Sequence, residues 1–208
     1  MKRDYWPDAK QHLARRDRVL RKLIKAYPDA SLDGLGGRGD GFQTLARSIV
    51  GQQISVKAAT SIWKRFAECA GVVDPATVAA LDPKALRACG LSAGKAAYIQ
   101  DLARHFDSGR IKPRRWPRMD DEAIIEELVE VKGIGRWSAE MFLIFHLKRP
   151  NVLPVGDLGL RRAMERLYND GEPLTKDEMR AIGEAWRPWS TVATWYLWRS
   201  LDPIPVEY

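Results

Sequence analysis

The sequence predicts an all-α protein of about ten helices, compact and without a sheet. Three observations carry that prediction. Apolar residues recur at helical spacing in almost every patterned segment. Helix-start signals, Asp or Ser ahead of an apolar-periodic run and Asp-Pro pairs, punctuate the chain. No run alternates apolar and polar residues between turn signals, as a half-buried strand would. With 208 residues, 45% of them hydrophobic, the chain is long enough to bury a sizeable core and is unlike a disordered basic tail.

Taken in order, residues 8–27 place Leu13, Val19, Leu20, Leu23 and Ile24 on a basic background and read as one helix, ended by Tyr27-Pro28-Asp29. A glycine-rich loop, Asp33 to Gly41, follows. Phe42, Leu45, Ala46 and Ile49 then share a helical face, Gly51-Gln52-Gln53 interrupts, and a helix runs from about Ser55 to Ala70. Asp74-Pro75 and Asp82-Pro83 each open a short helix, Asp capping and Pro taking the first helical position. Another helix runs from about Ser92 to Asp107. Lys112 to Arg118 reads as a basic, proline-containing loop, and Asp120 caps a helix reaching Val129. Helical segments at about 136–147, 158–168, 175–186 and 191–201 complete the chain.

Composition narrows the function classes. No stretch approaches the roughly 18 apolar residues that a membrane span needs, and the charged N-terminus shows no signal peptide. Cys69 and Cys89, the only cysteines, make neither a disulfide framework nor a metal cluster, so a soluble, reduced protein is expected. The formal net charge of +7 is compatible with a polyanionic partner. Eight tryptophans are a heavy load for this length, and Trp186, Trp189, Trp195 and Trp198 crowd toward the C-terminus. They read either as an indole-rich core or as a pocket for something flat.

The most informative stretch is Leu128 to Ala139, a helix, a tight Gly133-Ile134-Gly135 turn and a second helix. The amides that open the second helix point outward together, which makes an anion site by geometry. With Lys132 and Arg136 flanking it, the natural anion is a backbone phosphate. A lone Gly-x-Gly corner would be ordinary, but the following helix is apolar nearly all round, which marks it as central. His146 on that helix reads as a packed core residue rather than a ligand.

Here the residues resemble the helix-hairpin-helix superfamily of DNA base-excision glycosylases. Four stretches carry the resemblance in order: Ile49 to Ala59, the hairpin, Asn151 to Arg161 with its Gly156-Asp157, and Arg187 to Arg199. The first and last are similar to the alkylation-repair branch, the 3-methyladenine DNA glycosylases. The resemblance implies two helical subdomains flanking an active-site cleft, formed by about 42–147 and by the N-terminal plus C-terminal helices, with the hairpin motif at about 120–147. It implies a location in the bacterial cytoplasm or the eukaryotic nucleus.

The resemblance also distributes roles. Such an enzyme must extrude the target nucleotide, at a cost of a few kcal/mol. Gln53 matches the position from which relatives fill the gap in the duplex; the plainer reading is that Gln52 and Gln53 only cap and cross-link their turn. Trp137 and Trp198, with Met141 and Leu158, match the base pocket. An indole face favours a cationic alkylated purine by about 0.5–2 kcal/mol. Trp186 and Trp195 read as core. Lys132, Gly133, Ile134, Gly135, Arg136, Ser138, Ser55 and Lys57 fall where relatives touch the DNA backbone. Asp157 matches the catalytic aspartate. A carboxylate about 4 Å from the developing oxocarbenium ion supplies roughly 4 kcal/mol at an effective dielectric near 20. Gly156-Asp157 also reads as a helix cap, and the two roles are compatible.

Departures from the family pattern refine the expectation. Lyase relatives carry a Schiff-base lysine where this chain has Trp137, so cleavage is expected to stop at the abasic site. Two cysteines exclude the four-cysteine iron–sulfur cluster of some members, and the early start of helical pattern leaves no room for an N-terminal β domain. No cofactor is expected beyond a structural Na⁺ or K⁺ ion held by the Val129, Val131 and Ile134 carbonyls. The expected partner is double-stranded DNA containing alkylated bases, bound by a monomer away from membranes. A glycosylase for a mismatched or oxidised base, or a hairpin DNA-binding module without catalysis, are the competing readings.

Overall fold

The computed structural model describes residues 5–32 and 39–201; most of the glycine-rich loop at 33–41 lies outside them. Among the described residues there are helices and no strand. The order is α1 (Trp6–Arg16), α2 (Arg18–Ala26), α3 (Gly41–Gly51), α4 (Val56–Ala70), α5 (Pro75–Ala80), α6 (Pro83–Ala88), α7 (Ala93–Asp107), a 3₁₀ turn (Pro113–Arg118), α8 (Asp121–Val129), α9 (Arg136–Phe145), α10 (Leu158–Tyr168), α11 (Lys176–Gly183), a second 3₁₀ turn (Glu184–Trp186) and α12 (Ser190–Leu201). Capping explains most of these starts. Asp40, Ser55, Asp74, Asp82, Ser92, Asp120, Asp157 and Thr175 each accept an amide of the first turn that they precede. At Thr175 the box is closed by Glu178, which accepts the Thr175 amide in return.

The chain divides into two units, one built from its two ends and one from its middle, with the later break between Phe142 and Leu143 inside α9. In the end-built unit, α1 packs on α2, and α12 on α1, α2 and α10. Leu13, Leu20, Leu160, Met164, Trp186 and Tyr196 are fully buried there. The single helix expected over 8–27 is instead two, because Asp17 leaves helical geometry (φ −133°, ψ 120°) to cap α2. Its Oδ1 accepts the Val19 and Leu20 amides (2.8 and 2.9 Å). Its Oδ2 accepts Tyr168 Oη and Trp186 Nε1, both at 2.8 Å. Burial, with the Asp17 charge beside it, pushes the Tyr168 phenol far above its ordinary range and keeps it a donor.

The middle unit is centred on α3 and α7, with α5 and α6 against α7. The basic segment expected as a loop is a 3₁₀ turn whose Trp116 is buried. Its indole meets Phe106 and Phe142 edge-on (6.2 and 5.2 Å) and donates to Glu127 Oε1 at 3.0 Å. Gly41 leaves room for that ring, since a Cβ there would lie 2.8 Å from it. In α9, Ala139, Leu143 and Ile144 are fully buried, as its all-round apolar pattern predicts. It ends at Phe145 rather than near 147, where the chain turns back through Lys148 at φ 54° and the Arg149 amide bonds the Leu143 carbonyl. His146 therefore sits past the helix end, half-buried, and not in the packed core.

Candidate active site

In the end-built unit, the segment before α10 reverses through Val155 N–H to Leu153 O (2.9 Å) and Asp157 N–H to Pro154 O (2.8 Å). This delivers Asp157 to the N-cap of α10. The side chain is 7% exposed, and its Oδ1 accepts the Leu160 amide at 2.6 Å and the Trp198 indole N–H at 2.8 Å. Two donors from different helices converge on one oxygen, so the carboxyl cannot rotate without losing a buried bond. Gly159 permits this approach: a Cβ there would stand 3.2 Å from Asp157 Oδ1 and 3.3 Å from the Trp198 ring. Phe145 stacks on Trp198 (6.0 Å between centroids, 11° between planes), and Trp195 meets it edge-on at 6.4 Å. A cleft of about 490 Å³ opens beside Asp157, lined also by Leu158, Arg161, Thr175 and Lys176. Leu158, next in sequence to Asp157, is 48% exposed. Trp186 and Trp195 are buried, as read from the sequence.

In the middle unit, the hairpin between α8 and α9 turns through Gly133 at φ 85°, where a Cβ would stand 2.3 Å from the Tyr98 ring. Glycine is required there on both grounds. The Ile134 amide bonds the Val131 carbonyl (3.1 Å), and the Lys132 amide bonds Asp101 Oδ2 (3.0 Å). Neither of these two is available to a ligand without exchange. A ligand at the hairpin would instead meet the amides of the first turn of α9, which starts at Arg136. Lys132 and Arg136 are exposed, and the Arg136 guanidinium is engaged by carboxylates of α8 and α9. It holds Glu122 through both oxygens (2.5 and 2.7 Å) and Glu140 at 3.2 Å, fastening α8 to α9. The Glu122 hydrogen bond, reinforced by both carboxylate charges, raises Arg136 above its ordinary range.

Trp137 is 41% exposed in the first turn of α9 and Met141 is buried one turn on; Ser138 is half-buried. The turn after α3 separates the two glutamines. Gln52 is the cross-link, its Nε2 donating to the Gly133 carbonyl at 2.8 Å, while Gln53 is exposed at φ 60°. Ser55 caps α4 and Lys57 is exposed in its first turn. No group of three or more His, Cys, Asp or Glu among the described residues is placed to hold a metal.

Sequence reasoning placed Asp157 and Trp198 separately and the structure joins them by a hydrogen bond. It missed Phe145 and the two cations of the cleft, and it offered Gln52 as a cross-link of its own turn without the hairpin carbonyl that it reaches. Helical spacing puts Phe145 on α9, but the ring it stacks on is supplied by α12.

Residues 46–188 match the model of the HhH-GPD superfamily base excision DNA repair proteins. The chain belongs to that superfamily. Among its relatives, DNA-3-methyladenine glycosylase 1 of Schizosaccharomyces pombe is 32% identical over 200 residues, 92% of this chain and 86% of the relative. The putative DNA-3-methyladenine glycosylase of Bacillus subtilis is 32% identical over 169 residues, and that match spans 77% of this chain but only 59% of the relative's length. The crystal structure of a DNA-3-methyladenine glycosidase from Bacillus halodurans superposes with a TM-score of 0.85 at 36% identity, covering 94% of this chain and 89% of that one. The S. pombe 3-methyladenine DNA glycosylase in complex with abasic DNA gives 0.79 at 31% identity, covering 97% and 98%. An 8-oxoguanine glycosylase/lyase of Clostridium acetobutylicum, 22% identical, shares this HhH-GPD fold.

Proposed function

We propose that this chain is a monofunctional DNA glycosylase that hydrolyses the N-glycosidic bond of alkylated purines, of the 3-methyladenine and 7-methylguanine type, in duplex DNA. The observation that carries the reading is Asp157, locked by Leu160 and Trp198 in a superfamily member with Trp137 where a lyase has lysine. The relatives named above support the substrate class.

The damaged nucleotide leaves the duplex, least expensively because it is damaged, and Gln53 fills the gap. Trp137, Trp198, Met141 and Leu158 are the positions that match the family's base pocket, and an indole face favours the positive charge of an alkylated purine. The C1′–N bond breaks, its electron pair goes to the purine, which is thereby neutralised, and positive charge develops on the sugar. Asp157 stabilises that charge and orients the attacking water. The water oxygen bonds to C1′ and its proton passes to the carboxylate or to solvent. No general acid is needed, because an alkylated purine departs neutral.

The α9 amides, Lys132, Ser55, Ser138 and Lys57 hold the DNA backbone without reading sequence, with Gly133, Ile134 and Gly135 shaping the cradle; Arg136 contributes its amide while its side chain braces the hairpin. The protein acts as a monomer and needs no cofactor for the bond cleavage. A Na⁺ or K⁺ ion fits the Val129, Val131 and Ile134 carbonyls by chemistry. Val129 closes α8, where carbonyls lack intrahelical partners, and such oxygens suit a hard cation. Bound there, the ion adds positive charge near the DNA backbone.

The reading is tested by incubating methylated duplex DNA with the protein, identifying released bases and examining the strand before and after alkali. Free 3-methyladenine or 7-methylguanine, with nicks only after alkali, is expected. Nicks without alkali overturn the monofunctional assignment, and binding without base release overturns the substrate class.

A further inference from the structure

We propose that Lys95 is a positioning residue for Gln53, and that the face of α7 carrying Lys95, Tyr98 and Asp101 holds the Gln53 turn and the hairpin in one fixed register. The proposal rests on the gap-filling role given to Gln53 above.

The three residues lie at intervals of three along α7, which puts them on one side of the helix. Each engages a different point of the two DNA-facing segments. Lys95 Nζ donates to the Val50 carbonyl at 2.8 Å and to the Gln52 carbonyl at 2.6 Å. Tyr98 packs where any Cβ on Gly133 would stand, and Asp101 Oδ2 accepts the Lys132 amide. Gln52 Nε2, on the Gly133 carbonyl, closes the loop from the turn to the hairpin.

A lysine on the last carbonyls of a helix is by itself ordinary capping. The Gln52 carbonyl is different, because it belongs to the peptide plane that continues into Gln53. Fixing that oxygen fixes the plane, and the plane sets the direction from which Gln53 departs at φ 60°. A non-glycine residue in the left-handed region relaxes unless its surroundings hold it. Lys95 and Gln52 grip that one residue pair from both sides, by the main-chain oxygen and by the side-chain amide. Burial lowers the Lys95 ammonium below the ordinary lysine range, an unfavourable placement that the two carbonyl bonds offset.

The test compares base release from methylated duplex DNA with release from a single strand of the same sequence, which has no gap to fill. Lys95→Met keeps an unbranched stem one atom shorter and removes the donor. It is expected to slow duplex release by roughly tenfold and to leave single-strand release and the melting temperature near wild type. Lys95→Arg, which keeps a donor, is expected to retain duplex activity. If Lys95 acts through Gln53, the double variant Lys95→Met/Gln53→Ala is no slower on duplex than Gln53→Ala alone. If Lys95→Met does not fold, Gln52→Leu removes the opposite grip and is expected to give the same duplex-only loss. A wild-type duplex rate in a folded Lys95→Met, an equal loss on both substrates, or losses that multiply in the double variant overturn the positioning role. Gln53→Ala with an undiminished duplex rate overturns the gap-filling reading itself, so the two failures are told apart.

Discussion

Asp157→Asn changes one atom of a side chain whose Oδ1 already takes two N–H donors. An amide oxygen can accept both, so the cap of α10 and the bond to Trp198 survive, and melting temperature and DNA affinity are expected to change little. What disappears is the charge. At about 4 Å and an effective dielectric near 20, in the proposed mechanism that charge would contribute roughly 4 kcal/mol to the transition state, or about a thousandfold in rate. Single-turnover base release is the measurement, and full activity in the variant removes Asp157 from the chemistry. Asp157 was legible because Gly156-Asp157-Leu158 is at once a capping signal and the family's motif. Its partners were not, since nothing in Trp198 announces which acceptor its indole N–H reaches. Gln52 and Gln53 show the same limit. Adjacent identical residues diverge into a latch and an exposed side chain only because the backbone reverses between them.

The hairpin is an element clasped by ions, and its clasp titrates. The Arg136 hydrogen bond holds Glu122 below the usual carboxylate range against the opposing effect of burial. Burial pushes Asp101 up, but the Lys132 amide, with His105 and Arg104, outweighs it and holds that carboxyl low as well. A depressed carboxyl contributes its stability in full above the unfolded value, about 4, and loses it as pH falls through the folded value. Melting temperature at constant ionic strength is therefore expected to be level from pH 7 to 5 and to fall below about pH 4. Glu122→Gln should remove part of that acid loss and no more, because the pair is half-exposed and solvent screens it. An unchanged acid profile in the variant would show that the clasp contributes nothing. Element starts were legible from Asp, Ser and Pro. The break at Asp17 was not, because the buried Tyr168 and Trp186 donors that complete its coordination come from far along the chain. Trp116 was read into a loop for a similar reason, its aromatic neighbours being distant in sequence.

Over the whole molecule, a formal charge of +7 and the proposed phosphate cradle would make binding dependent on counterion release. The logarithm of affinity for undamaged duplex is expected to fall linearly with the logarithm of salt, by about 0.9 for each phosphate neutralised. A titration between 50 and 200 mM salt checks this, about the range over which such binding weakens steeply. A flat response would mean that the hairpin does not dock on backbone phosphates. The sequence by itself determined the all-helical class, the caps Asp74, Asp82, Asp120 and Asp157, and the hairpin. These are written in local spacing, where a residue and its effect lie within one or two turns. Only the tertiary structure decided that the Arg136 side chain pairs with Glu122 and Glu140, that Trp198 fixes the carboxylate, and that Lys95 grips the turn before Gln53. Each of those depends on a partner from another helix, and hydrogen-bond partners follow from how helices pack, which no local pattern records.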